Sequence, residues 1–191
     1  MLAAGTGSRF GGGKLLAPWG EGVLLDAALA AAFAAPARQV TVVTGADAER
    51  VAAAVRAFAE RTGEVGRLAL VHAPDYAEGM GASLRAGAAA LPVGAGGVFV
   101  FLGDMPRVPR GLAADLAAAL RAGAVAAAPV FGGRRGNPVL LGAPLIPQLR
   151  TLSGDAGARS ILQALGPRLA LVEAPDDGVL FDVDERGDLA P

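Results

Sequence analysis

The chain has 191 residues, no cysteine, a formal net charge of −1 and a hydrophobic fraction of 53%, much of it alanine. That length suits one domain around one large core. The charge gives no global field for nucleic acid or anionic membranes, and the lack of cysteine excludes disulfides, thiolate metal sites and a cysteine nucleophile. No strongly apolar run approaches ~20 uncharged residues, so no membrane-spanning helix is expected. Arg9 and Lys14 interrupt any leader-like apolar start, so a cytoplasmic protein is the expectation.

Residues 1–14 hold five glycines, a serine and a threonine between a short apolar start and the pair Leu15-Leu16. Glycines at that density let ligand atoms approach the main chain closely, and successive N–H groups form a concave nest that suits phosphate oxygens. Arg9 adds a bidentate fork and Lys14 a mobile point charge. The stretch reads as a triphosphate cradle, although not a P-loop. With Gly13-Lys14 in register, Ser8 stands where the first glycine belongs, and Leu15 where a magnesium-binding hydroxyl belongs,. A dinucleotide fingerprint fails because Phe10 replaces the third glycine,.

Downstream, Asp26–Ala35 reads as a helix stopped by Pro36,. The β-branched run 39–44 suits a buried parallel strand. Residues 47–61 return as a helix with Asp47 as N-cap,. A strand over 67–71, a loop over 74–79, a helix over 83–91 stopped by Pro92, and the strand Val98–Leu102 follow. Then come a helix at 112–121, a strand at 124–129, the apolar triplet 139–141, a helix at 155–165, and late strands at 168–172 and 179–183. Strand and helix alternate, which predicts an α/β three-layer sandwich with a mostly parallel Rossmann-like sheet. No repeat or linker interrupts it, so residues 1–191 are expected to form a single domain. In such sheets ligands bind beyond the carboxyl ends of the strands.

Several side chains fall there. Asp104 follows the strongest strand, where a carboxylate can hold Mg²⁺ together with phosphate oxygens and waters; Gly103-Asp104-Met105-Pro106 is equally ordinary turn chemistry. Asp182 and Asp184 sit at i and i+2, on one face of a strand. Two such carboxylates repel unless a cation intervenes, and Asp184 is also a plausible N-cap. Gly79 to Arg85 spans a loop and a helix start, where free N–H donors face a ligand unless Ser83 merely caps. His72, Trp19 and Tyr76 receive no functional role.

The run Leu2-Ala3-Ala4-Gly5-Thr6-Gly7-Ser8-Arg9-Phe10-Gly11, followed by Lys14, resembles the signature loop of nucleotidyltransferases that join an NTP to a phosphorylated acceptor. It is most similar to the molybdenum cofactor cytidylyltransferase branch of the MobA-like NTP transferase family; guanylyl-transferring relatives more often carry Ala-Gly-Gly where Ala3-Ala4-Gly5 stands. The Gly-Asp-Met-Pro at 103–106, the Arg-Gly-Asn-Pro at 135–138 and the Ser-Gly-Asp-x-Gly-Ala-Arg at 153–159 match further family segments. Two departures stand out: Gly81 replaces a serine, and Glu185-Arg186-Gly187 replaces Thr-Pro-Glu.

The resemblance implies a nucleotidyltransferase (GT-A-like) fold and transfer of CMP from CTP to a molybdopterin-type cofactor. It implies nucleotide contacts from Leu2, Ala3, Ala4, Gly5, Thr6, Gly7, Arg9, Lys14, Gly79 and Ser83. Arg9, Lys14 and Asp104 are the implied catalytic set, with Mg²⁺ on Asp104 and Asp184. Arg135, Asn137, Asp155 and Arg159 are implied at the acceptor, where Asn137 can both donate and accept toward a heterocycle. A molybdoenzyme or its chaperone is the implied recipient, with no nucleic-acid or membrane partner. The alternatives are guanylyl transfer, a sugar-phosphate or other phosphorylated acceptor, and a non-catalytic nucleotide-binding cofactor chaperone. In the family the loop leaves a full central strand, so the stub Leu2-Ala3-Ala4 is expected to be a truncated first strand.

Overall fold

The structure is a computed structural model that describes residues 1–154 and 157–189. The strands in chain order are β1 (Leu2–Ala3), β2 (Pro18–Trp19), β3 (Gly22–Val23), β4 (Val40–Thr44) and β5 (Leu68–His72). They continue as β6 (Gly97–Val100), β7 (Ala126–Phe131), β8 (Arg134–Arg135), β9 (Val139–Gly142) and β10 (Leu169–Glu173). The α-helices are α1 (Leu24–Ala34), α2 (Ala48–Thr62), α3 (Met80–Ala89), α4 (Leu112–Arg121), α5 (Ile146–Leu149) and α6 (Arg159–Leu165).

β4 pairs in parallel with β5 on one edge and with β1 on the other, Leu2 lying opposite Val43. A parallel bridge from Leu2 to Leu102 joins β1 to the chain leaving β6. β9 runs antiparallel to both β6 and β7, and β10 pairs in parallel with β7. The order is therefore β5-β4-β1-β6-β9-β7-β10, a mostly parallel sheet in which β9 is reversed, with short β8 returning antiparallel beside β7.

Side-chain alternation distributes the sheet between two helical layers. Val40 and Val42 pack with α1, α2 and Ala113 of α4. On the opposite face Val100, Val139, Leu141, Ala126 and Ala128 pack with Leu84 of α3, Leu149 of α5 and Leu162 of α6. Burial on both faces is what selects the apolar, β-branched runs seen in the sequence. The helices must lie close: a Cβ at Gly87 of α3 would sit 2.9 Å from Val43.

Several expectations need correction. Residues 179–183 form no strand; a 3-10 turn occupies Asp177–Val179 and the chain then continues through Val183 without a ladder partner. The helix expected from Asp155 begins at Arg159. Asp47 holds the N-cap position of α2, its carbonyl accepting from Val51 N–H at 2.9 Å, but it adopts a left-handed φ of 54° and its carboxylate makes no cap bond, accepting instead from Arg50 at 3.0 Å. The β2–β3 hairpin and α5 were not anticipated. Among the described residues no helix is long and apolar enough to cross a membrane.

Candidate active site

The glycine turn leaves β1 at the carboxyl rim of the sheet. It folds back on itself through Gly12 N–H to Gly7 O (3.1 Å) and Gly11 N–H to Ser8 O (3.2 Å). Gly7, Gly11, Gly12 and Gly13 all have positive φ, between 60° and 89°, a conformation a side chain would strain. Phe10, the residue that breaks the dinucleotide fingerprint, is buried with Ala17, Leu24 and Val183. It anchors the turn to the C-terminal segment, and the Arg186 guanidinium covers its ring at 4.9 Å. Lys14 opens a 3-10 turn, Lys14–Leu16, whose next residue, Leu15, is buried.

Asp104 arrives from the neighbouring strand. Gly103 N–H donates to Leu2 O at 2.8 Å, holding the two chain exits side by side. The Lys14 ammonium then donates to Asp104 Oδ2 at 2.7 Å, with side chains only 12% and 27% exposed. Asp104 also fixes the third element through its backbone, since its carbonyl accepts from Val183 N–H at 3.0 Å. Val183 is fully buried, so the next residue, Asp184, is delivered to the same rim. Asp184 Oδ1 lies 3.7 Å from Lys14 Nζ, and its Oδ2 accepts from Arg9 at 3.1 Å. Asp188 holds the following turn by accepting from the N–H groups of Asp184 and Glu185, both at 2.8 Å. Those two donors keep its carboxyl below the usual range,.

Asp182 does not share a strand face with Asp184, because that strand is absent. Its carboxyl nevertheless senses the cluster. Burial raises its pKa first, the charges of Asp184 and Asp104 add to the rise, and Lys14 opposes it. Among the described residues no three His, Cys, Asp or Glu side chains form a ready cation cage. What exists is a pair of hard carboxylates flanking one ammonium. That donor set fits Mg²⁺, which takes one or two carboxylates and completes its octahedron with phosphate oxygens and water.

The remaining expected residues fall into two groups. Leu2, Ala3 and Ala4 are embedded in the sheet, the latter two buried, while Gly5 has open space around it and Thr6 lines a small cavity with Lys14, Ala46 and Asp47. Gly79 precedes α3 with φ 116°, and Ser83 lies buried inside the first turn rather than at its cap. Gly81, a departure from the family pattern, packs so tightly that a Cβ there would approach Ser153 and Gly154 main chain at 2.8 Å. Arg85 strengthens the same junction, donating to Leu152 O at 2.8 Å and pairing with Asp75 and Glu78.

On the acceptor side, Arg135 lies in β8 and Asn137 N–H donates to Val179 O at 2.9 Å. Arg159 is exposed at the start of α6, and Asp155 lies outside the described residues. Among the described residues no hydrogen bond or ion pair joins Arg135, Asn137 or Arg159 to the Lys14 cluster. Sequence reasoning missed Arg107, whose guanidinium stacks 3.9 Å from the Phe181 ring and 5.6 Å from Trp19. This stack braces the segment leading to Asp182, and no local pattern announces it.

A mostly parallel sheet carrying a glycine turn and two aspartates at one rim is the arrangement of a class, the nucleotidyltransferases of α/β fold. Residues 1–169 match the MobA-like NTP transferase domain, and the chain belongs to that family. It is 32% identical to a nicotine blue oxidoreductase of Paenarthrobacter nicotinovorans over 96% of this chain and 90% of that one. It is 27% identical to the molybdenum cofactor cytidylyltransferase of Escherichia coli K12, over 98% and 91%. The crystal structure of an rv0371c homolog from Mycobacterium sp. strain JC1 superposes with a TM-score of 0.84 at 30% identity, covering 98% of this chain and 90% of that one.

Proposed function

We propose that the protein is a cytoplasmic, Mg²⁺-dependent cytidylyltransferase that moves CMP from CTP to the terminal phosphate of a molybdopterin-type cofactor and releases pyrophosphate. The observation that supports this most is the convergence of Lys14, Asp104 and Asp184 at the mouth of the glycine turn. Asp104 and Asp184 would hold the cation, which when bound neutralises phosphate charge.

The chain's own groups do the rest. The N–H groups of the glycine turn receive phosphate oxygens, and Arg9 and Lys14 supply positive charge where negative charge develops. Lys14, tethered between two carboxylates, is already desolvated and oriented. The acceptor phosphate is an anion, so it attacks the α-phosphorus without a general base; positioning supplies the rate. Arg135, Asn137, Asp155 and Arg159 are assigned to the acceptor, Gly79 and Ser83 to the nucleoside. The product would pass to a molybdoenzyme or its chaperone.

Guanylyl transfer and other phosphorylated acceptors use the same chemistry, and the 27% identity to a cytidylyltransferase favours CTP. The oxidoreductase relative shares the overall sequence, yet an ammonium between two carboxylates beneath a glycine turn suits triphosphate handling. Pyrophosphate release measured with CTP or GTP, with and without molybdopterin, tests the reading. Acceptor-dependent release from CTP is expected. Release from GTP alone overturns the choice of base, and tight NTP binding with no turnover on any acceptor favours a chaperone.

A further inference from the structure

The turn after Asp184 reads Glu185-Arg186-Gly187, where the family pattern has Thr-Pro-Glu. Proline at the middle position would bring a neutral ring and no donor; arginine brings a fixed charge and a fork of N–H donors. The base of that side chain is held in place. Asp188 accepts from the N–H groups of Asp184 and Glu185, both at 2.8 Å, and Arg186–Leu189 closes as a 3-10 turn. Leu189 packs against the small cluster of Phe10, Ala17, Leu24 and Val183. The turn therefore starts at the second carboxylate and ends on the anchor of the glycine turn.

Its arginine reaches the same anchor. The guanidinium lies 4.9 Å from the centroid of the Phe10 ring, within the range at which a cation is drawn to an aromatic face. Phe10 is only 3% exposed and stands between Arg9 and Gly11, so the charge is set against the loop that would take the phosphates. Stacking uses the flat face of a guanidinium and leaves its in-plane N–H groups free to donate. The other two cations of the turn are already engaged, Arg9 with Asp184 at 3.1 Å and Lys14 with Asp104 at 2.7 Å. Arg186 is exposed and, among the described residues, forms no ion pair, although its sequence neighbour Glu185 is exposed as well.

We propose that Arg186 is a third cation of the phosphate site, one that binds the pyrophosphate released by nucleotidyl transfer. The inference rests on the functional reading above, in which the bond between the α-phosphorus and the bridging oxygen breaks and that oxygen keeps the electron pair. Negative charge then grows on the leaving pyrophosphate, at the mouth of the glycine turn. With Asp104 and Asp184 taken up by a cation, Arg9 and Lys14 face more negative charge than two side chains offset. Arg186, stacked on Phe10, supplies the next positive charge without giving up a carboxylate partner.

Calorimetric titration of the intact protein with inorganic pyrophosphate in Mg²⁺ buffer is the test. Arg186→Met keeps an apolar contact with the ring and removes the charge, whereas Arg186→Lys keeps the charge. Arg121→Met removes a charge from the end of α4 that leads into the start of β7, away from the glycine turn. The Arg186→Met protein is expected to bind pyrophosphate about tenfold more weakly or worse, as for a lost charge-assisted hydrogen bond, with a shallower dependence on salt. Arg186→Lys should recover most of the affinity, and Arg121→Met should match the wild type. If Arg186 merely covers Phe10, the Met variant binds like the wild type; that result, or an equal loss in Arg121→Met, would overturn the proposal. Should Arg186→Met melt early, Arg186→Gln answers by the same titration. Wild type and Arg186→Met binding alike removes Arg186 alone, whereas a wild type that binds no pyrophosphate removes the functional reading with it.

Discussion

Lys14 Nζ meets Asp104 Oδ2 at 2.7 Å across 90 residues of sequence. The contact joins the glycine turn to the end of β6 and fixes the electrostatic centre of the site. Replacing Asp104 with Asn keeps the volume and removes the charge. Acceptor-dependent pyrophosphate release is expected to fall by about 10³-fold, as for other lost transition-state electrostatics. Thermal stability should change by only about 1 kcal/mol, because the pair is partly solvated and Lys14 retains Asp184. Unchanged turnover would remove Asp104 from the catalytic set.

Lys14 and Arg9 both touch Asp184, but their surroundings separate them. The Lys14 side chain is 12% exposed and that of Arg9 76%. Lys14→Met leaves Asp104 and Asp184 facing each other without an intervening cation, so it should lower kcat by about 10²-fold and alter stability measurably. Arg9→Ala should lower kcat/KM while shifting stability by less than about 0.5 kcal/mol. Paired kinetic and thermal measurements on the two variants check the contrast.

Gly136 packs directly against the carbonyl of Val179, and Asn137 N–H bonds to the same oxygen. A Cβ at Gly136 must push away the segment that carries Asp182 and Asp184. Gly136→Ala is expected to destabilise by about 1–3 kcal/mol and to weaken divalent-cation affinity, read by calorimetric titration. A variant with native cation affinity would show that the Val179 contact does not position Asp184.

What the sequence disclosed was mainly local. The glycine turn, Asp104 after the most hydrophobic strand, and the alternation that forms a parallel sheet each depend on a few adjacent residues. The direction of β9 could not be read, because Val139-Leu140-Leu141 is equally apolar in either orientation and its partners lie elsewhere in the chain. Residues 179–183 have strand composition but join no ladder, so composition misled. Phe10 read as a broken fingerprint and proves to be an anchor, a role that depends on Leu24 and Val183. The Arg107–Phe181–Trp19 stack joins three distant segments and leaves no periodic trace. The Lys14 and Asp184 proximity was anticipated only through likeness to a family, since nothing in the spacing of residues so far apart requires it.

The bond from Val183 N–H to Asp104 O has a consequence for biogenesis. A ribosome releases the glycine turn and the first acidic strand end long before Asp184. Until then Lys14 and Asp104 have only one another, a neutral couple with little attraction for a divalent ion. If Asp104 and Asp184 hold a cation as proposed, its uptake must wait for the segment that carries Asp184. A nascent or clipped chain ending before Val183 would lack both the bond to Asp104 O and the second carboxylate beside Lys14.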